Sequence, residues 1–307
     1  MTVWIDTPAW PHRGQLFAHM VSDTELEELH DVAERAGVHP RAFDRDHYDV
    51  PERLLAACID AGATQAPTRR LVQALRESGL RLTKAAAKAD REARRARLLE
   101  RWPLSTARSA GSRASTPPTG SALAEDLLDR WSERHRRYHD PRHLEHCLDS
   151  LATLGGAEQV VELAAWFHDA VYEGRAGEDE EASAQLAEHA LEGLLPRSHI
   201  GEVARLVRLT AGHRPQDTDD NGTRLCDADL AILGAEPARY ARYTRDVRVE
   251  YAEVPLVEFR HGRRRVLAHL LGLDPLYRTP AGAGLWSAPA RTNLTVEAAR
   301  LDDLIGA

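Results

Sequence analysis

Histidine and aspartate stand side by side at His168-Asp169, directly after the apolar run of residues 163–167. On a helix, His168 shares a face with Val161 and Ala164, so this face is expected to point into a core. A buried charged pair needs a partner, because removing charge from water is costly. Imidazole nitrogen and carboxylate oxygen together suit Mn, Fe, Co, Ni or Mg. The pair therefore indicates a metal site.

Two other His-Asp dipeptides, His30-Asp31 and His139-Asp140, stand in surroundings that favour structural roles. The first lies on a polar stretch, where a solvent-exposed helix face is the simpler interpretation. In the second, Asp140 precedes Pro141, so we expect Asp140 to cap a helix that begins at the proline.

Further metal-ligand residues stand elsewhere in the C-terminal half of the chain. His143 falls in the first turn of the helix expected from Pro141, on the side that carries apolar residues. Asp227 and Asp229 precede the apolar stretch 230–233, so one can cap that helix while the other reaches into a bundle. Spacing alone leaves a structural role open for each of these residues.

The elements that must position these residues are helices. Apolar periodicity predicts helices over residues 122–137, 141–154, 158–172, 180–194, 199–210, 229–233, 237–251 and 263–271. No strand pattern interrupts them, so residues 121–307 are predicted to form an all-α domain.

The N-terminal part of the chain has a different pattern. Strand-like runs at residues 3–5 and 41–43 alternate with helical runs at 23–36, 51–61 and 67–78, which predicts a small α/β domain over residues 1–83. Residues 84–120 separate the domains, with a basic helix over 84–101 and a Ser-, Thr-, Pro- and Gly-rich linker over 105–120. A length of 307 residues suits two domains.

Composition narrows the class of protein. With 43% apolar and 29% charged residues and a net charge of -8, the chain has the profile of a soluble globular protein, and nucleic acid is an unfavoured partner. No signal peptide or membrane span is evident, so we expect a cytoplasmic protein with no membrane partner. Cys58, Cys147 and Cys226 are too scattered to indicate disulfides or a cysteine zinc site. Oligomeric state stays open.

The order of these residues resembles the HD superfamily of metal-dependent phosphohydrolases. Residues 137–144, 166–173, 179–184, 225–234 and 290–294 look like a branch known mainly as predicted hydrolases. The resemblance implies an HD-type helical bundle with His143, His168, Asp169 and Asp229 as metal ligands. Asp227 competes for the fourth place, but in related proteins the ligand is the acid at the start of the apolar helix. Asp179 departs from the branch, which usually has Asn there, and is expected to alter a hydrogen bond near the metal.

What the resemblance implies is hydrolysis of a nucleotide or another small phosphorylated metabolite by a metal-activated water, with Asp169 in the catalytic centre. Glu173 could relay a proton, although a solvated glutamate is an equally good interpretation. His213 could reach the same cavity or be a core or surface histidine, and Arg142 and Arg214 are candidates for binding phosphate. Two alternatives are a non-catalytic metal- and nucleotide-binding sensor whose N-terminal domain contacts a partner, and a purely structural metal.

The N-terminal domain resembles, over residues 1–20 and 43–50, a small bacterial family known only as domain of unknown function 4031, which implies no activity. The residue types of a second metal site or a nucleic-acid site occur at Asp6, Trp10, His12, Arg13, His19, Asp44, Asp46, His47 and Asp49. A turn between elements explains the acidic residues more simply, and the domain could instead be a recognition or regulatory module.

Overall fold

A computed structural model describes residues 2–12, 14–44, 46–78, 84–104 and 120–306. The chain has two compact units, Met1–Arg91 and Glu92–Ala307, whose boundary falls within one helix. Arg13, the predicted boundary at residue 83 and the predicted linker, apart from Gly120, lie outside the described residues.

The first unit is a small α/β domain, as predicted. Its described residues contain six strands in one sheet, with the order β4-β5-β3-β1-β6 and β2 paired to β3. The strands are β1 (Val3–Ile5), β2 (Trp10–His12), β3 (Gln15–Ser22), β4 (Phe43–Asp44), β5 (His47–Pro51) and β6 (Thr64–Gln65). The β1–β6 pair is parallel, whereas β1, β2 and β5 each run antiparallel to β3.

Helices cover both faces of this sheet. Side chains alternate between the two faces along each strand, and apolar side chains lie on both. The helices are α1 (Leu26–Arg35), α2 (Leu55–Asp60) and α3 (Thr68–Glu77). Val3 and Ile5 pack in the core that contains residues of α1 and α2, whereas Val21 packs against α3. Each face therefore has its own apolar cluster.

Several N-terminal elements differ from the sequence prediction. The predicted strand at residues 41–43 is a 3-10 turn, Pro40–Ala42, followed by β4. The predicted helix at 51–61 is α-helical only over α2, because Pro51 ends β5 and a 3-10 turn follows. The strands β2, β3 and β5 were not predicted, since pairing with distant segments, more than local pattern, stabilises them.

The second unit is largely helical and contains no strand among its described residues, which confirms the all-α prediction at that level. Its helices are α4 (Lys84–Glu100), which begins before the unit boundary, α5 (Gly120–Trp131), α6 (Pro141–Thr153), α7 (Gln159–Phe167), α8 (Glu178–Ala190), α9 (Arg197–Leu209), α10 (Asp220–Asp229), α11 (Pro237–Glu250), α12 (Leu256–Leu271) and α13 (Pro280–Gly306), with a 3-10 turn at Leu230–Gly234. None of the helices in the described ranges is long and apolar enough to cross a membrane.

The ends of three helices matter for the candidate site. As predicted, Asp140 caps α6 by accepting a hydrogen bond from the Arg142 N–H, with Pro141 as the first helical residue. The predicted helix over 158–172 was too long, because α7 ends at Phe167. The predicted helix over 229–233 is a 3-10 turn, and the α-helix α10 precedes it instead.

Two tryptophans anchor the core beneath the candidate site. Trp131 and Trp166 are fully buried, and the Trp131 indole N–H donates to the Trp166 carbonyl at 3.0 Å. The Trp131 ring also packs against His168, with 5.4 Å between ring centroids. This packing joins α5 to the end of α7, where the His-Asp pair lies.

Candidate metal centre

Four side chains from three helix ends meet in the second unit. His143 comes from the first turn of α6, His168 and Asp169 follow α7, and Asp229 ends α10. His143 Nε2 lies 3.1 Å from His168 Nε2 and 3.0 Å from Asp229 Oδ1. Asp169 Oδ2 lies 3.1 Å from His168 Nε2 and 3.6 Å from His143 Nε2. The structure thus brings together all four side chains that the sequence singled out as ligands.

The two imidazoles face each other through nitrogens that suit a cation. His168 Nδ1 lies 2.8 Å from the Ala165 carbonyl oxygen, which can only accept, so in the neutral ring that a metal ion requires Nδ1 carries the proton and Nε2 offers its lone pair. This lone pair points at His143 Nε2. Adjacent ligands of an octahedral ion with bonds of about 2.1 Å lie about 3.0 Å apart. The observed spacing therefore fits a divalent ion.

Packing rather than hydrogen bonding holds the second imidazole. His143 Nδ1 is buried and has no hydrogen-bond partner among the described residues. Its ring lies against Tyr138, with 4.8 Å between centroids, and near Trp131 at 6.1 Å. The direction of its Nε2 is therefore set by aromatic neighbours.

The carboxylates of the cluster favour a positive charge between the four side chains. Burial lowers the pKa of His168, but the charges of Asp169 and Asp229 outweigh it and hold this pKa well above its usual range. Burial raises the pKa of Asp229, but His168, together with hydrogen bonds from His143 and His213, holds it well below its usual range. Two carboxylates thus stay ionised around a point that attracts a cation.

Asp227 and Asp229 have separate roles. Asp227 accepts hydrogen bonds from the backbone N–H groups of Arg278 and Thr279 and from the Thr279 hydroxyl at 2.6 Å. It therefore joins α10 to the start of α13 and does not lie at the histidines. Neither acid caps the apolar turn as predicted, since Asp229 precedes that turn without a side-chain cap bond.

His213 reaches the cluster as well. Its Nε2 lies 2.8 Å from Asp229 Oδ2, so the two carboxylate oxygens of Asp229 face different histidines. His213 has a φ of 51°, a left-handed conformation that is uncommon for residues other than glycine. The short turn after α9 thus directs this imidazole inward.

Three predicted residues lie apart from the cluster. The Glu173 side chain is exposed, because α7 ends before it and helical spacing from Asp169 no longer applies. Arg142 forms ion pairs with Asp140 and Asp246. Arg214 is exposed and forms no hydrogen bond or ion pair within the described part of the chain.

Asp179 stabilises the loop that carries Glu173. Its Oδ2 accepts hydrogen bonds from the backbone N–H groups of Glu173, at 2.9 Å, and Arg175, at 2.8 Å. Asp179 therefore shapes the chain after the His-Asp pair, without a hydrogen bond to the four candidate ligands.

Sequence reasoning missed a second His-carboxylate pair beside the cluster. Glu250 Oε1 accepts from the backbone N–H groups of Arg137, Tyr138 and His139, at 2.7, 2.8 and 2.9 Å. Its Oε2 accepts from His139 Nδ1 at 2.7 Å and from the Tyr172 hydroxyl at 3.1 Å. The partners are more than a hundred residues apart, so no local pattern could have revealed the pair.

The charges of His139 and Glu250 stabilise each other. Burial raises the pKa of Glu250, but the His139 imidazole and the backbone N–H groups outweigh this effect and lower the pKa to about 2. Burial lowers the pKa of His139, but the charges of Glu250 and Asp169 raise it above its usual range. Glu250 and Asp169 therefore both favour the protonated form of the His139 imidazole.

Arg136 fixes the backbone around both clusters. Its buried guanidinium donates to the carbonyl oxygens of Asp169 at 2.6 Å, Ala170 at 3.2 Å and His139 at 3.3 Å. These bonds join the chain after α7 to the turn before α6. Such a fork of donors holds Asp169 and His139 in one arrangement.

A cavity of about 430 Å³ opens beside the cluster and is bordered by Asp229, His213 and His139. Arg265 and His269, exposed residues one helical turn apart on α12, also line it. Neither forms a hydrogen bond or ion pair with another described residue. Leu230, Ile232, Leu233 and Leu270 give the cavity an apolar surface, and Glu180, Thr210 and two tyrosines also line it.

In comparisons with known proteins, only the first unit finds a match. Residues 3–78 match the family described as Protein of unknown function (DUF4031), which confirms the resemblance expected for the N-terminal domain. No curated protein and no solved structure matches the chain.

Proposed function

We propose that the second unit is a metal-dependent phosphohydrolase of the HD type, acting on a nucleotide or another small phosphorylated metabolite. The observation that carries the proposal is the convergence of His143, His168, Asp169 and Asp229, whose imidazole nitrogens lie 3.0–3.6 Å from one another and from the carboxylate oxygens. These residues follow the order along the chain that resembles the HD superfamily. The fixed tautomer of His168 and the half-buried carboxylates of Asp169 and Asp229 supply the donor set that a divalent ion requires.

These four residues would hold one divalent ion, such as Mn, Mg, Co, Ni or Fe. Such an ion supplies a bound water of lowered pKa and neutralises charge on phosphoryl oxygens. His213 orients Asp229 from its other carboxylate oxygen, at 2.8 Å. Arg136 orients Asp169 through its backbone.

The cavity offers a place for the substrate. Arg265 and His269 face it without described ion-pair partners, so they are available to bind phosphate oxygens. This assigns to α12 the role that the sequence suggested for Arg142 and Arg214. The apolar wall, which includes Leu230, suits the organic part of a nucleotide or similar metabolite.

His139 would supply the proton that the leaving oxygen needs. Glu250 accepts the hydrogen bond from Nδ1, which directs the opposite nitrogen, Nε2, away from this carboxylate. Tyr172 stacks on the imidazole, with 4.2 Å between centroids, and His139 borders the cavity. A positioned imidazolium of this kind can act as a general acid, the role that the sequence had suggested for Glu173.

The test is a hydrolysis screen of the purified full chain loaded with Mn, Mg, Co, Ni or Fe. Substrates are p-nitrophenyl phosphate, nucleoside mono-, di- and triphosphates, and cyclic nucleotides. We expect release of phosphate or nucleotide product from at least one class. Tight nucleotide binding without turnover would favour the sensor alternative, and absence of both would overturn the proposal.

A further inference from the structure

A second group of metal-ligand side chains lies on the sheet of the first unit. β3 and β5 pair with His19 opposite Asp49, and His47 lies two residues before Asp49 on the same strand. Side chains two apart on a strand share a face, as do directly paired residues. Ligand atoms of His19, His47 and Asp49 consequently lie within 4.8 Å of one another.

The distances within this group leave room for an ion. His19 Nε2 lies 3.7 Å from Asp49 Oδ1, and His47 Nε2 lies 3.6 Å from the same oxygen. These separations are too long for hydrogen bonds. They approach the roughly 3.4 Å between ligand atoms of a tetrahedral ion with bonds of about 2.1 Å.

A carboxylate stands behind each imidazole. His47 Nδ1 lies 2.7 Å from Asp46 Oδ1, and His19 Nδ1 lies 3.4 Å from Asp6 Oδ2. Because a carboxylate accepts hydrogen bonds, both contacts place the imidazole proton on Nδ1 and leave the Nε2 lone pair facing Asp49. This arrangement of carboxylate, histidine and open nitrogen orients the ligands of protein metal sites.

The supporting carboxylates are themselves fixed. Asp6 is fully buried and accepts hydrogen bonds from the His19 N–H at 2.7 Å and the Thr68 hydroxyl at 2.8 Å. Asp46 is 7% exposed. Asp6 follows β1 and Asp46 precedes β5, so the sheet and the start of α3 hold both in place. The imidazoles are therefore oriented before any ion arrives.

We propose that His19, His47 and Asp49 bind a divalent transition-metal ion of the zinc class, with Asp6 and Asp46 positioning the two imidazoles. Three protein ligands leave a coordination position for water or an exogenous oxygen or nitrogen ligand. The side chains of His19, His47 and Asp49 are 28%, 21% and 49% exposed, so that position is accessible from solvent. This site does not depend on the function proposed for the second unit.

The indole of Trp10 packs against His19 of the site. Its ring meets that of His19 edge-on, with 5.2 Å between centroids, and the residue is 51% exposed. A large exposed aromatic side chain beside an open metal position provides a surface on which a small ligand can rest. The geometry therefore points to a site that takes a ligand from solution.

The experiment measures binding of Co²⁺ and Zn²⁺ to the full chain, by visible absorption for Co²⁺ and by titration calorimetry for Zn²⁺. The second unit has its own candidate metal site. The number of metal ions bound per chain is therefore compared between the variants Asp49→Asn and His47→Ala of the first unit and the variant Asp229→Ala of the second. We expect Asp49→Asn and His47→Ala each to lose one equivalent of metal that Asp229→Ala retains. Asp60→Asn, an exposed carboxylate on α2, is the matched control and should bind as the wild type does.

Variants of the supporting carboxylates separate a metal site from a simple charge network. Asp46→Asn and Asp6→Asn should weaken binding at this site by about 10- to 100-fold without removing it. Circular dichroism checks that each variant is folded. Asp49→Asn should disturb the fold least, because the Asp49 side chain is partly exposed. Unchanged stoichiometry and affinity in folded Asp49→Asn and His47→Ala would overturn the proposal.

Discussion

At the scale of single residues, Asp227 and Asp229 show how little spacing along the chain reveals about role. One turns to the backbone of residues 278 and 279, and the other to His143 and His213. Both are acids beside the same apolar turn, so spacing alone left either one available as the metal ligand, and only the resemblance to the HD superfamily favoured Asp229.

This difference predicts opposite effects of two isosteric substitutions. Asp229→Asn should abolish metal binding, because it removes one of two carboxylates at the cluster. Asp227→Asn should keep the metal but lower the free energy of unfolding by about 1–3 kcal/mol, since buried donors lose their charged acceptor. Elemental analysis and urea unfolding of the two proteins check this, and loss of metal from Asp227→Asn alone would reverse the assignment.

The proton-transfer roles predict a second contrast. His139→Gln should lower kcat by about 100- to 10,000-fold, because the general acid is lost while the four metal ligands remain. Glu173→Gln should leave kcat close to the wild-type value, since this side chain is exposed and apart from the cluster. Steady-state kinetics on the best substrate would decide, and a greater loss in Glu173→Gln would restore the role that the sequence suggested.

Residue types and local context indicated which residues could bind a metal, and the resemblance to the HD superfamily selected the four that lie together. The approach of His213 was one of two interpretations that the sequence left open. Residue types and local context could not predict the His139–Glu250 pair or the basic residues of α12, because these partners meet only through tertiary packing. Helical spacing also misled, since it placed Glu173 one turn beyond Asp169 on a helix that ends at Phe167.

At the scale of elements, strong local signals gave correct predictions. Asp140 and Pro141 fix the start of α6, and the apolar run of α7 fixes its place in the core. By contrast, α13 was missed because Gly282 and Gly284 disfavour helix and Pro289 stands inside it. Packing against the turn at 230–234 stabilises this helix despite its sequence.

Glu250 joins α11 to the turn before α6, and this contact predicts a pH-dependent contribution to stability. Its pKa falls from 4.5 to about 2 on folding, so its stabilisation is complete above the unfolded value and is lost as the pH falls towards 2. The shift corresponds to about 3 kcal/mol at neutral pH. Glu250→Gln should therefore be less stable than the wild type at pH 6, with the difference shrinking towards pH 2.

Urea unfolding across this pH range measures the effect. Glu236→Gln, an exposed glutamate just before the same helix, is the control and should follow the wild type throughout. If the difference in free energy of unfolding between the wild type and Glu250→Gln stays constant from pH 6 to pH 2, the depressed pKa of Glu250 is contradicted.

At the scale of the whole molecule, two units with separate apolar cores share one chain. An ion that binds only the folded second unit stabilises that unit by mass action, by about 2.7 kcal/mol when its concentration is 100 times Kd. Adding Mn²⁺ should therefore raise the thermal transition of the second unit in the wild type. Adding Mn²⁺ to Asp229→Ala should leave the temperature of that transition unchanged. Scanning calorimetry distinguishes the two outcomes.

The most direct test of the metal-dependent hydrolase is metal content and phosphoester hydrolysis measured on the same samples of wild type, His168→Ala and Asp229→Ala. We predict that the wild type binds a divalent ion at the second-unit cluster and hydrolyses a phosphorylated substrate, and that both variants lose this ion and the activity together. Hydrolysis that persists in both variants, or a wild type that no divalent ion can activate, would contradict the account.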